Sequence, residues 1–380
     1  MIRNKLTLVA LLAIWSAFGS TVLADGYLTS VGDGADEIPV VVVRGTPYEM
    51  GRKQGELIKD DAVQLTATFM TLLQASEPER YSNDALDAAW KAVAPYTDER
   101  FKEELRGLAD GTGIPLQTLQ RAHAIPVISN YSCSAIAAWG DATVDGHLYQ
   151  TRNLDWELHA TAQDHPCIVV YLPEKGVPHV NITFAGFIGA NTGMNANGIV
   201  LSEMGDSPER DFPFDMRGVH FTTLFRTALY DADGLDQAIE IFQQAKRIKK
   251  YHYVVGDGKN LRAVKMLAHA PDLVIWEAND PTDELAPNVA ANLVYQDEGR
   301  GAFGPIQQIY GKIGAQDMID IACQIPIKGG NVLDVVYDAT ALEFWVAYAE
   351  KLDEAYKRPF VHVKLKDYLD PDVFEAQASR

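Results

Sequence analysis

Cys133, Arg152, Asn153 and Asp155 are the residues of this chain whose types and spacing could do chemistry together. Between the thiol and the other three, Asp145-Gly146 is a hairpin turn signal flanked by β-type runs, Cys133 to Trp139 and His147 to Asn153. Antiparallel pairing of those runs sets the start of one strand against the end of its partner, so a sulfur, a cation and a carboxylate can meet. A positive charge beside a thiol lowers its pKa from roughly 8.5, as a sulfur nucleophile at neutral pH requires. The same pattern fits a plain hairpin with a surface ion pair and a buried cysteine, and the residues alone leave both readings open.

Other chemistries find less support. The nine histidines include no pair at the i, i+4 spacing of a helical zinc site, and there is no Cys-x-x-Cys, so neither a metal nor a cofactor is expected. Gly-x-Ser-x-Gly, the serine nucleophile elbow, is missing. Gly256-Asp-Gly258 lacks the rest of a phosphate-binding fingerprint and reads as a tight turn. With 33 basic and 52 acidic residues the chain carries a net charge of −19, which opposes phosphate backbones, so no nucleic-acid partner is expected. The one basic and aromatic cluster, Lys246-Arg247-Ile248-Lys249-Lys250 with Tyr251 and Tyr253, closes a predicted helix and reads as a solvated terminus opposing the dipole. Of the three cysteines, Cys167 and Cys323 sit in apolar or amphipathic runs and read as core fillers.

The surrounding elements must place the hairpin. Residues 1–24 read as a signal peptide: Arg3 and Lys5, an apolar run from Leu6 to Phe18, and Val22-Leu23-Ala24 before the cut. An exported, periplasmic or secreted protein with no membrane span after processing is the expectation. Beyond it, Val40 to Val43 is strand-like, and Thr46-Pro47-Tyr48-Glu49 has the residues of a capping box with proline at the first helical position. Helical spacing predicts a mostly helical stretch over 45–128. After Cys133, short strand runs alternate with turns, interrupted by helical patterns at Phe221 to Leu229, Leu235 to Gln244 and across Ile306 to Ile325. Strands clustered around helical blocks favour an α+β layered sheet protein over a doubly wound one.

Several motifs resemble one family. Cys133-Ser-Ala-Ile with Arg152-Asn-Leu-Asp155 is similar to the nucleophile region of the cysteine branch of the N-terminal-nucleophile (Ntn) hydrolases, the group of acyl-CoA:6-aminopenicillanic-acid acyltransferase, acid ceramidase and the bile-salt and penicillin V amidases. Gly45-Thr-Pro-Tyr-Glu-Met-Gly51, Gly193-Met-Asn-Ala-Asn-Gly198 and Val335-Val-Tyr-Asp338 with Phe344-Trp-Val-Ala347 resemble further motifs of that group, in order. Pro287 to Val294 resembles its Thr-Asn-His segment with Asn292 at the matching position, and Arg300 is the nearest counterpart of a downstream arginine of the bile-salt branch.

The resemblance implies a four-layer αββα Ntn-hydrolase sandwich with a helical N-terminal segment. It implies a leading chain, residues 25–132, and a catalytic chain, residues 133–380, that separate by self-cleavage between Ser132 and Cys133 and stay associated, with homo-oligomerisation left open. It also implies roles: Cys133 as nucleophile whose freed α-amine is the base, Asp155 orienting that amine, Arg152 balancing charge, and Asn292 donating to the oxyanion. The substrate would be a small-molecule N-acyl amide, hydrolysed or acyl-transferred. A non-catalytic exported binding protein on the same fold, and a cysteine dipeptidase, are the alternatives.

Overall fold

The computed structural model describes residues 25–129, 132–205, 215–269, 271–284, 286, 290–327 and 329–379; the signal-peptide reading of residues 1–24 lies outside them. Among the described residues two sheets form. The first runs in the order β1 (Asp25–Val31), β2 (Ile38–Gly45), β5 (Pro166–Pro173), β6 (His179–Phe184), β7 (Thr192–Asn195), β8 (Ile199–Gly205), β9 (Lys250–Asp257), β10 (Arg262–His269), β11 (Asp272–Trp276). The second runs β12 (Leu293–Gln296), β3 (Ser132–Gly140), β4 (Gly146–Trp156), β13 (Gly330–Asp338), β14 (Glu343–Tyr348), β15 (Val361–Lys364). The pairing of β2 with β5 is parallel.

Strand alternation sorts the side chains of β3 to two faces. Cys133, Ala135 and Ala137 enter one core with Leu148 and Leu154 of β4 and with Val170, Ile182, Val200 and Val254 of the first sheet, so the two sheets pack face to face there. Ile136 and Ala138 point the other way, into a core with Ile306, Met318 and Ile321 from helices Phe303–Gln308 and Ala315–Gln324. On the far side of the first sheet, Leu201, Tyr253 and Val255 pack on helices Phe221–Asp231 and Leu235–Gln244.

Between β2 and β3 lie α1 (Pro47–Leu57), α2 (Lys59–Ser76), α3 (Asn83–Val93), α4 (Glu99–Thr112) and α5 (Leu116–Ile128). The capping box forms: Thr46 Oγ1 accepts from the Glu49 N–H and Glu49 Oε2 accepts from the Thr46 N–H. Helices α1 and α4 touch backbone to backbone. A Cβ on Gly51 would stand 2.0 Å from the Glu104 carbonyl oxygen, and one on Gly107 the same distance from that of Tyr48, so neither position has room for a side chain. Arg226, on Phe221–Asp231, donates to both carboxylate oxygens of Glu104 at 3.0 and 2.7 Å inside the protein, tying α4 to the part of the chain beyond Cys133.

Three differences from the sequence reading have physical reasons. Residues 25–132 are not helical throughout: the strand-like run Val40–Val43 forms β2 as read, and β1, which was not read, joins it in the first sheet, since Asp25–Val31 carries Gly26, Thr29 and Ser30 and lacks a clean apolar alternation. The helical pattern over 306–325 is two helices, broken where Gly311 takes φ 83°. The basic cluster closes its helix as read, with Lys246 exposed, but it is not solvated throughout. Arg247 is buried and donates to the helix-end carbonyls of Phe242 and Ala245 and, at 2.7 Å, to Pro271, while Lys249 is buried on the Ser129 carbonyl.

Candidate active site

The hairpin register sets Ser132 opposite Asp155, Cys133 opposite Leu154 and Ser134 opposite Asn153, so the thiol and the Asp155 carboxylate are at the same end of the pair, as the sequence predicts. Cys133 is fully buried. Burial pushes its thiol up to about 12; Arg152 and the Gly205 N–H pull it down, and Glu203 and Asp155 add to the rise. In the uncut chain the sulfur is therefore a protonated thiol at neutral pH.

Arg152 is also fully buried and forms an ion pair with Glu203, Nη2 to Oε2 at 3.5 Å, across the interface between the sheets. Its guanidinium nitrogens make no hydrogen bond among the described residues, which leaves donors available for an oxygen brought to the site. Glu203 is a member of the site that sequence reasoning missed. The available signal was a carboxylate inside the otherwise apolar run Ile199-Val-Leu-Ser-Glu-Met204.

Arg300 joins the parts. Its Nη1 donates to Asp155 Oδ2 at 2.6 Å and to the Pro326 carbonyl at 2.8 Å, Nη2 donates to the Cys133 carbonyl, and Nε donates to the Asp297 carbonyl at 2.9 Å. The turn that carries it is held by Asp297, whose two carboxylate oxygens accept from the Gly299 N–H at 3.0 Å and the Ala302 N–H at 2.7 Å. Glu298 in that turn takes φ 54°, a conformation that costs a non-glycine residue about 1 kcal/mol or more. Its Oε1 accepts from Ser132 Oγ at 2.9 Å, so both residues flanking the Ser132–Cys133 peptide are gripped from one turn.

Asn292 is not part of this assembly, which corrects the expected oxyanion role. Leu293 pairs with Ala138, and the Asn292 carbonyl accepts from the Trp139 N–H, so Asn292 lies at the opposite end of β3. At about 3.3 Å per residue that is ~17 Å or more from Cys133. The resemblance of residues 287–294 to the family segment misled because register, and not local sequence, decides which end of β12 meets the thiol; Pro287, Asn288 and Val289 lie outside the described residues.

Behind Asp155 a polar chain continues. Asn331 Nδ2 donates to Asp155 Oδ1 at 3.3 Å and to Asp334 Oδ1 at 2.8 Å. Burial pushes the Asp334 carboxyl up to about 8, and Asp155 adds to this against the opposing hydrogen bonds of Asn331 and Asn153 and the charge of Arg152. A carboxyl raised on folding contributes stability that is fully present below its unfolded pKa and lost as pH rises through the folded value. Stability should therefore fall between about pH 4 and 8 at up to about 1.4 kcal/mol per unit from this group, and Asp334→Asn should flatten that fall in urea midpoints measured across the range. An unchanged pH slope would show that Asp334 is already ionised.

Among the described residues no group of three or more His, Cys, Asp or Glu could hold a metal ion, and no helix is long and apolar enough to cross a membrane.

Comparison with known proteins finds similarity over the part of the chain that carries this site. The family model described as acyl-coenzyme A:6-aminopenicillanic acid acyl-transferase matches residues 142–287, a span that holds Arg152, Asp155 and Glu203. Protein dcd1B of Dictyostelium discoideum is 27% identical over 349 residues, covering 83% of this chain and 69% of its own. An N-acylethanolamine-hydrolyzing acid amidase of Oryctolagus cuniculus is 26% identical over 171 residues, covering 43% of this chain and 45% of its own. Among solved structures, the Caenorhabditis elegans ortholog of that amidase superposes with TM-score 0.44 at 14% identity, over 55% of this chain and 93% of its own. Over residues 142–287 this chain is similar to the acyl-coenzyme A:6-aminopenicillanic acid acyl-transferase family.

Proposed function

We propose that this protein is an exported, self-cleaving N-terminal-cysteine amidase that acts on linear N-acyl amides through an acyl-thioester, on a four-layer αββα sandwich. The observation that carries the reading is the Ser132–Cys133 peptide held at a strand end, with Asp155 as the register partner of Ser132 and Arg300 bridging Asp155 to the Cys133 carbonyl. Activities named for the relatives, acyl transfer and amide hydrolysis, support it.

In the first step Cys133 Sγ attacks the Ser132 carbonyl carbon. The C–N bond breaks as the C–S bond forms, the released nitrogen takes a proton, and water then hydrolyses the thioester to leave a Ser132 carboxylate and a Cys133 that begins a chain. The new α-amine, with a reference pKa near roughly 7.7–8.0, takes the thiol proton at neutral pH, so no histidine is needed. In turnover the thiolate attacks the substrate amide, the amine departs with the proton, and water releases the acid. Asp155 orients the α-amine, Arg152 balances the charge that builds near the sulfur, and the Gly205 N–H, which already meets the sulfur, is the donor for the oxyanion.

An apolar acyl group suits the surroundings. Leu154, the register partner of Cys133, lines a pocket with Phe69, Ile125, Trp156, Phe184 and Phe187. Intact-mass analysis of purified protein should give two polypeptides, one starting at Cys133, and N-acyl amides with long apolar acyl chains should turn over faster than dipeptides. A single uncut chain that does not react with a thiol-directed acyl probe would refute the enzyme and support a binding scaffold.

A further inference from the structure

We propose that His123 is a positioning residue for acyl-chain selection: it holds the connection between β6 and β7 by its backbone and thereby sets Phe187 as the pocket wall that measures the acyl group. The inference rests on the amidase reading and adds the element that decides which acyl chains fit. Residues 185–191 make that connection, and its backbone is clasped from several sides. The Ile188 N–H donates to His123 Nε2 at 3.0 Å, and the Ile188 carbonyl accepts from Arg226 Nη1 at 2.7 Å. Asn181 Nδ2 donates to the Gly189 carbonyl at 3.2 Å, and Thr183 Oγ1 donates to the Phe187 carbonyl at 3.2 Å. Within the connection Ala185, Gly186, Ile188, Gly189 and Ala190 are buried. Phe187 and Asn191 stay partly exposed, and both line the apolar pocket beside Leu154, the register partner of Cys133.

Within that clasp His123 is supplied by α5, ahead of Cys133, so after the cut it would reach the loop from the other chain. Its Nδ1–H donates to the Leu119 carbonyl at 2.8 Å, which fixes the tautomer that leaves Nε2 as an acceptor. Burial pushes the imidazole down to about 4 against the Leu119 bond, with Arg226 adding to the fall, so Nε2 keeps its lone pair at neutral pH. The ring also meets the wall itself: its centroid is 5.2 Å from that of Phe187, which stands edge-on to Phe69 at 5.5 Å. Phe69 packs in turn on Trp156 at 5.4 Å, so Trp156, Phe69 and Phe187 form one aromatic row along the pocket. Phe187 is the member of the row carried by a loop, and a loop keeps one position only where its backbone is tied. One methylene measured against a fixed apolar wall changes kcat/KM by about 10–200-fold, a discrimination that collapses when the wall moves. Releasing the Ile188 N–H lets Phe187 swing, and the pocket then takes acyl chains it otherwise refuses.

The test uses the full chain and N-acyl amides of a single aminocoumarin, from butanoyl to octadecanoyl, with active sites titrated by a thiol-directed acyl probe and folding followed by circular dichroism. Wild type should discriminate between neighbouring members by about tenfold or more in kcat/KM where the chain reaches the wall. His123→Ala should flatten that step to within about threefold, through KM, and leave kcat on the butanoyl amide within about twofold. His123→Gln, whose side-chain oxygen can accept from the Ile188 N–H, should keep the step, and Phe187→Ala should move it to longer chains. A folded His123→Ala with the wild-type profile overturns the proposal, as does a kcat that falls equally on every chain length, a His123→Gln as flat as His123→Ala, or a Phe187→Ala profile that does not move. If His123→Ala does not fold, Thr183→Val, which removes the donor to the Phe187 carbonyl, decides: a flattened step supports the clasp and an unchanged one overturns it. A wild type without preference among the chains puts the acyl group outside this pocket and also overturns it. A wild type that hydrolyses none of them defeats the amidase reading itself, a result distinct from any pattern among the variants.

Discussion

Cys133→Ala should yield one unprocessed polypeptide and lower amide turnover by at least about 10⁴-fold, because the single atom removed is the attacker in both reactions. The buried position accepts alanine readily, since its neighbours Ala135 and Ala137 already line the same core, so the loss should come without unfolding. Cys133→Ser separates the two reactions further. A hydroxyl is a poorer nucleophile in a site where burial already holds the thiol up to about 12, and residual cutting slower by about 10²-fold or more is expected. Circular dichroism melting and intact mass on the same preparations check both statements, and full activity in either variant would remove the sulfur from the mechanism.

The second large effect is expected at Arg300. Its guanidinium and the Asp155 carboxylate are both nearly buried, so Arg300→Met takes a close cation away from a buried carboxylate. Removing one partner of a buried pair costs about 3–5 kcal/mol, and urea unfolding should show a loss of that order. Turnover should fall by about 10²–10³-fold as well, since the hold on Asp155, which orients the α-amine, and the strap on the Cys133 carbonyl are lost together. Arg300→Lys keeps the charge and gives up the fork that reaches two acceptors, so it should recover most of the stability and less of the rate. Stability and rate unchanged in Arg300→Met would show that the bridge has no role.

What the sequence made legible is what local pairing decides. The turn Asp145-Gly146 and its flanking runs were enough to bring Cys133 to the same strand end as Arg152, Asn153 and Asp155, because a hairpin fixes register over short distances. The capping box at Thr46 was legible for the same reason: its chemistry lies within four residues. Partners supplied from far along the chain were not. Glu203 meets Arg152 only because two sheets stack, and Arg300 reaches Asp155 only through a turn shaped by Glu298, Gly299 and Gly301 at positive φ. Asn292 went wrong, and Lys249 was taken for a solvated residue, because neither β12 register nor burial of a basic cluster follows from composition. The short strands β7 and β12, four residues each, carry too few residues for periodicity to register.

The parallel seam between β2 and β5, together with the buried Glu104–Arg226 clasp, has a thermodynamic consequence for a molecule nicked after Ser132. Each fragment lacks strands that the other owns, so the halves would migrate as one particle until denatured. After denaturation, reassembly would require a collision between two solutes instead of closure of a tether, and its rate would depend on concentration. Processing would then make folding a one-time event, with the working lifetime set by the barrier to coming apart rather than by the equilibrium that first built the molecule.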